Sequence, residues 1–312
     1  MKQYVIIITL ISTLLGGSSC KEWLKVDSED RIMEDALFQS ESGFFTALNG
    51  VYVHLLNTNL YGRTLTAGTF DILAQYYDTT KPLNSHTYRS LANFELQAKK
   101  DAVADTWKEA YFLIANINTI LEHCENDRSV LSESNYELIK GECLALRAML
   151  HFEMFRIFGP IYSYEPGKVC IPYSDDTEKN VKPLLSAIDV VDKILTDLNQ
   201  AENLLLNVDP VITKGPQSSA EGNNRLRYRN LRLNYFAVQA LTARVYLYAG
   251  NTTEAGRYAR KVISGASKFF PFATREQVNG QAATGTVNRE AEDRIFSSEV
   301  LFGAYNTQRS TD

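Results

Sequence analysis

The stretch GECLALRAMLHFEMFRIFGP, residues 141–160, is nearly all apolar yet carries an arginine and a histidine in its middle. At about 100° per residue of helix, Glu142, Glu153 and Arg156 fall on one side, and Arg147 and His151, four apart, fall on the other. Leu144, Ala148, Leu150 and Phe158 make up the rest of that second side. Arg147 therefore either enters a core with a partner or lines a site. Gly159 and Pro160 stop the helix, because proline cannot continue one.

Apolar residues recur at helical spacing on both sides of this stretch. Upstream, SESGFFTALNGVYVHLL aligns Phe44, Leu48, Val51, Tyr52 and Leu55, and TAGTFDILAQYYD makes a shorter helix. From Ala102 to His123 the period runs through Trp107, Tyr111, Ile114, Asn118 and Leu121. Downstream, SAIDVVDKILTDLNQAENLLL aligns Val191, Ile194, Leu195, Leu198, Ala201 and Leu205. LRLNYFAVQALTARVYLYAG aligns Leu233, Ala237, Ala240, Leu241, Arg244 and Tyr248. Gly250 caps it, and Asn251 with Glu254 reads as a capping box opening the next helix, which buries Ala255, Tyr258, Ala259, Val262 and Ile263.

Residues 79–100, 162–183 and 207–230 are polar and turn-rich, and SSEVLFGAY (297–305) alternates like a short strand. Strands and helices do not alternate, which argues against a parallel α/β sheet. The expected fold is mainly α: tetratricopeptide-like helix pairs interrupted by long irregular loops. Alanines 237, 240, 243, 255 and 259 let such helices approach closely.

With 45% hydrophobic and 22% charged residues, the 312-residue chain can bury one large core or two small ones. A formal net charge of −5 leaves no electrostatic footprint for nucleic acid. The basic run NNRLRYRNLRLN, with Arg225, Arg227, Arg229 and Arg232 around Tyr228, is accordingly read as pairing with acidic helix faces or bracketing a helix start. The 17 Tyr and 15 Phe fit either a carbohydrate or peptide contact surface or a core whose hydroxyls reach its rim.

The N-terminus, MKQYVIIITLISTLLGGSSC, has Lys2 as a positive region, an apolar run from Tyr4 to Leu15, and small residues before Cys20. The run is too short to span a bilayer and has the layout of a secretory signal. The cysteine after the small residues resembles a bacterial lipoprotein cleavage site, departing from it at Gly17, where leucine is usual. The expectation is a signal peptide over 1–19, lipidation of Cys20 as the membrane anchor, and a polar tether over 20–39. Cys124, Cys143 and Cys170 remain, an odd number without C-x-x-C, so neither a disulfide framework nor a zinc site is indicated.

Catalytic motifs are missing: no H-E-x-x-H, G-x-S-x-G, Walker loop or Rossmann glycine fingerprint occurs, and His54, His86, His123 and His151 are scattered. The acidic YSDDTEKN, with Asp175, Asp176 and Glu178, lacks the glycine and closing glutamate of an EF-hand and reads as a solvated loop. The sequence reading is a protein that is not an enzyme and holds no cofactor or metal.

Taken together, these segments resemble the SusD/RagB family of outer-membrane nutrient-binding lipoproteins. TWKEAYFLIANIN carries Trp107, Tyr111 and Asn116 in the family's W-x3-Y-x4-N spacing. GECLALRAMLHFEMFRIFGPI is similar to its signature helix through Glu142, Arg147, Ala148, Phe155 and Gly159, and DLNQAENLL and ALTARVYLYAGNTTEAGRYARKVI look like its later helices. The resemblance implies a helical domain over 40–312 and lipid anchoring at the outer membrane, exposed at the cell surface. It also implies capture of oligosaccharides, or in some members peptides, for a TonB-dependent transporter of the SusC type. Members continue well beyond the length of this chain, so the resemblance implies truncation at the C-terminus, where much of the ligand surface normally lies.

Within that frame Trp107, Tyr111, Asn116 and Arg147 are scaffold residues, with Arg147 as a buried ion pair tying two helices together. For ligand contact the irregular stretch before the Trp107 helix stands out. Tyr76, Tyr77, Asp78, His86, Tyr88 and Arg89 combine stacking and hydrogen-bonding side chains in a loop setting. The competing readings are a lipid-anchored helical scaffold for protein partners, which an apolar groove without loop aromatics would favour, and a glycan-degrading enzyme. The enzyme needs two carboxylates about 5–10 Å apart in a cleft.

Overall fold

A computed structural model describes residues 33–34, 36–78, 89–95, 97, 100–217, 224–280, 288 and 291–306. Its elements are α1 (Glu41–His54), α2 (Thr69–Leu73), α3 (Arg89–Ala92), α4 (Lys100–Asn126), α5 (Glu133–Phe158), β1 (Val169–Pro172), β2 (Leu184–Ser186), α6 (Ala187–Leu205), α7 (Val211–Lys214), α8 (Tyr235–Tyr248), α9 (Thr252–Ala266) and α10 (Arg275–Val278).

Local chemistry sets the helix ends. Ser40 Oγ accepts from the Gly43 amide at 3.1 Å at the start of α1, and Asn234 Oδ1 accepts from Phe236 and Ala237 at the start of α8. Asn251 Oδ1 accepts from the Glu254 amide at 3.1 Å, while Gly250, at φ +79°, supplies the left-handed residue that separates α8 from α9.

The 141–160 stretch lies in α5, where every residue from Gly141 to Phe155 is buried. Its apolar character all round follows from its neighbours: α4 and α6 pack along it, with α1, α8 and β1 adding contacts. Helix pairs continue outward as α6 on α8 and α8 on α9, the side-by-side stacking expected of tetratricopeptide-like units. At Gly141 α5 and α6 approach closely, since a Cβ there would lie 2.8 Å from Leu205 Cγ.

Charges inside this core are paired. Arg147 grips Asp197 of α6 through two bonds of 2.7 and 2.8 Å and donates to Asn118 Oδ1 of α4 at 3.0 Å, so one guanidinium ties three helices. His151 donates from Nδ1 to the Arg147 carbonyl at 2.9 Å and accepts the Ser174 amide at Nε2, 3.0 Å away. Burial pushes its pKa down to about 3, so the ring is neutral. From the basic run, Arg229 is fully buried against Glu142 and Asp209, Arg225 faces Glu41 at 3.6 Å, and Arg232 lies over the Tyr52 ring at 4.5 Å.

Three expectations fail. Residues 297–299 form a 3₁₀ turn, not a strand: among the described residues the 297–305 segment has no strand partner, and Leu301 and Phe302 pack against the core. Strand structure occurs instead at the supposed loop: β1 lies within it and pairs antiparallel with β2 just past its end (Ile171 with Leu185, Pro172 with Leu184), around an irregularity between Val169 and Ile171. In α9 the buried line is Ala255, Tyr258, Val262 and Ala266; Ala259 is exposed and Ile263 is 53% exposed, since the helix has only a narrow seam against α8.

Candidate functional site

Two short helices carry the candidate site. α2 ends with Gln75 in the left-handed region at φ +62°: the Gln75 amide donates to Ile72 O (2.9 Å) and the Tyr76 amide to Asp71 O (3.0 Å). α3 ends in the same way. Phe94 stands at φ +59°, its amide donates to Leu91 O and that of Glu95 to Ser90 O, both at 2.9 Å. These paired bonds satisfy the last carbonyls of each helix. The Gln75 side chain then donates from Nε2 to Ala92 O at 3.0 Å, joining the end of one helix to the end of the other. Ile72 and Leu91 are buried beneath them.

What this pair of turns presents is aromatic. Tyr76 is 77% exposed, Tyr77 46% and Phe94 62%. Large rings left in water at a structured turn can serve as stacking surfaces for a flat, partly apolar ligand face. Asp78 and Arg89 are exposed at the two ends of the same feature. His86 and Tyr88, predicted with them, lie outside the described residues, as does Cys20. Phe94 was missed by the sequence reading, since nothing in LANFE marks an aromatic residue as the one left outside.

The scaffold residues sit elsewhere. Trp107 is half-buried, 4.5 Å from the Tyr111 ring and edge-on to Phe158 at 4.9 Å, and the Tyr111 hydroxyl donates to Pro172 O at 2.9 Å. Asn116 is exposed, and its amide returns to Phe112 O of its own helix. The asparagine that joins elements is Asn118, two residues on. Buried, it donates to the carbonyls of Ser174 and Asp176 while accepting from Arg147.

A polar cleft of about 390 Å³ lies beside that junction, with Glu122, Glu125, Asp175, Asp176 and Arg147 in its walls. Three of these carboxylates are matched by lysines: Glu125 by Lys140 at 2.6 Å, Asp175 by Lys193 at 2.7 Å, and Asp176 by Lys182. Hydrogen bonds from Lys140 and Lys182 hold Glu125 and Asp176 below the usual carboxylate range. Among the described residues no cluster of His, Cys, Asp and Glu could hold a metal ion, and no helix is long and apolar enough to cross a membrane. Cys124, Cys143 and Cys170 are free, and burial pushes the Cys124 thiol up to about 12.

Residues 22–222 match the SusD-like family, described as starch-binding and associating with the outer membrane. The chain belongs to the SusD-like family. SusD-like protein P25 of Formosa agariphila is 25% identical over 225 residues, covering 68% of this chain and 40% of that protein. SusD-like protein P38 of the same organism is 27% identical over 210 residues, covering 66% of this chain and 39% of that protein. The chain thus spans about two fifths of these relatives. The fold is shared with a SusD superfamily protein from Bacteroides thetaiotaomicron (TM-score 0.64, 21% identity, 88% of this chain and 54% of that one). It is shared too with a SusD-like carbohydrate binding protein from Bacteroides vulgatus (TM-score 0.56, 19% identity, 78% and 48%). This SusD-like chain therefore has the helical scaffold of its family, and α2 with α3 stands as an aromatic outwork on it.

Proposed function

We propose that the protein binds oligosaccharide nutrients at the outer membrane and hands them to a SusC-type TonB-dependent transporter, performing no covalent chemistry itself. The observation that carries this reading is the exposure of Tyr76, Tyr77 and Phe94 on two structured turns of a SusD-like scaffold. Aromatic faces stack on the C–H faces of sugar rings, and Asp78 and Arg89, with His86 and Tyr88 from the intervening stretch, supply hydrogen-bonding groups for hydroxyls. Cys20 is the proposed lipid anchor, placing the protein at the cell surface.

In the polar cleft neither Glu125 nor Asp176 has the character of a glycosidase's general acid. A glycosidase needs a carboxylic acid whose pKa is raised, whereas Glu125 and Asp176 are both lowered by their lysines. Loop aromatics likewise favour glycan capture over the protein-scaffold reading.

The test is recovery of the native protein from detergent-solubilised outer membrane, with mass spectrometry of bait and partners. A co-purifying large β-barrel transporter and a lipid-modified Cys20 are expected. Recovery with neither would defeat the transport assignment. Bait peptides extending past Asp312 would mark this sequence as part of a longer molecule.

A further inference from the structure

A helix that ends through a left-handed residue ordinarily uses glycine there, because any Cβ is penalised. At both helix ends of the candidate site the sequence has a side chain instead, Gln75 and Phe94. Neither residue eases that conformation as glycine would, and each carries a side chain at the turn. Gln75 Nε2 donates to Ala92 O, the carbonyl at the C-terminus of α3 and two residues before Phe94. Tyr76 and Tyr77 follow Gln75 directly, and the Phe94 ring remains in water.

The Gln75 side chain thus bridges the turn from which the tyrosines leave α2 and the turn that carries Phe94. Strained backbone held in place by its surroundings is a known way of preorganising a ligand clamp.

We propose that Gln75 is the positioning residue of a two-turn aromatic surface in which Phe94 is a further stacking residue for a carbohydrate face. This inference rests on the oligosaccharide reading above. Gln75 touches no ligand. It acts by holding the Tyr76–Tyr77 turn against the Phe94 turn, so that the rings need no rearrangement on binding.

The test compares the full chain with Gln75→Asn, Phe94→Gly and Phe94→Tyr, by affinity electrophoresis in soluble starch, xylan, mannan and laminarin, with a thermal scan of each variant. Asparagine tolerates the left-handed conformation but is one methylene too short to reach Ala92 O. Gln75→Asn and Phe94→Gly are expected to bind the retained polysaccharide about two- to tenfold more weakly without any fall in Tm, and Phe94→Tyr to bind as the wild type does. A Tm that falls together with affinity would make Gln75 merely structural and overturn its positioning role. Unchanged affinity in both weakened variants would overturn the proposal while leaving the carbohydrate reading standing. A wild type retained by none of the four polysaccharides would overturn that reading and this inference with it.

Discussion

Arg229 Nη1 lies 2.6 Å from Glu142 Oε1 across 87 residues of chain, and the arginine has no exposed surface. The same guanidinium makes two bonds of 2.9 Å to Asp209. A loop residue is thereby bolted to the centre of α5, and the chain between α6 and α8 is closed onto the core. Two carboxylates face one arginine, so the partners are not equivalent. Asp209 also accepts the amides of Val211 and Tyr235, whereas Glu142 has the Tyr52 hydroxyl at 2.7 Å as its remaining partner.

Removing the cation should therefore cost most. Arg229→Met leaves two buried carboxylates without their counter-charge and is expected to lower unfolding free energy by about 3–5 kcal/mol in urea titrations. Glu142→Gln keeps one acceptor, for either Tyr52 or Arg229, and leaves a balanced Arg229–Asp209 pair, so a smaller loss of about 1–2 kcal/mol is expected. Equal losses in the two variants would mean that Arg229 is not the centre of the cluster.

At Gly141 the constraint is steric. A Cβ would meet Leu205 Cγ at 2.8 Å and Cδ2 at 3.0 Å, and Leu205 is fully buried and cannot swing into solvent. Valine there is expected to cost about 2–3 kcal/mol through overpacking between α5 and α6, despite the helix preference gained by losing glycine. Gly256, whose Cβ would meet only the end of the Arg260 side chain, is the control: Gly256→Ala should be neutral or stabilising.

The helices were legible because their apolar spacing is a local property. Phe44, Leu48, Val51 and Leu55 are buried as read, and so are Ile194, Leu198, Ala201 and Leu205. The requirement for a buried partner to Arg147 was legible too, but not its identity, because Asp197 is 50 residues away and only the packing of α6 on α5 brings it near. The β-hairpin escaped notice because each strand is three or four residues long and broken by proline or glycine neighbours. In the aromatic turns, Tyr76 and Tyr77 could be named from their loop setting. Phe94 and Gln75 could not, since a left-handed residue is expected to be glycine or asparagine, and Asn93 stands next to the position that Phe94 takes.

The ion pair of Arg147 with Asp197 is expected to show strong coupling. Tyr173 donates to Asp197 Oδ2 at 2.6 Å, and the Asn118 amide holds the 174–176 backbone beside it. Either Arg147→Met or Asp197→Leu alone should cost about 3–5 kcal/mol by stranding a buried charge, while the double variant should cost clearly less than their sum. Additive losses would mean that the two side chains contribute independently.

His151 makes stability depend on pH. Its ring is stacked on Tyr173 at 3.8 Å, fully buried, and accepts the Ser174 amide only while neutral. Burial moves its pKa from 6.5 to about 3. Between those values the unfolded chain binds a proton that the folded chain does not, so the contribution is fully present above about pH 6.5 and is lost as pH falls toward 3. The slope is about 1.4 kcal/mol per pH unit for one such group. His151→Gln, whose amide oxygen can still accept from Ser174, should be less stable than the wild type at pH 8, and the gap should narrow by about that slope between pH 6 and pH 4. The measurement is urea unfolding of both proteins across that range. A gap that stays constant with pH would show that His151 does not titrate differently in the folded and unfolded chains.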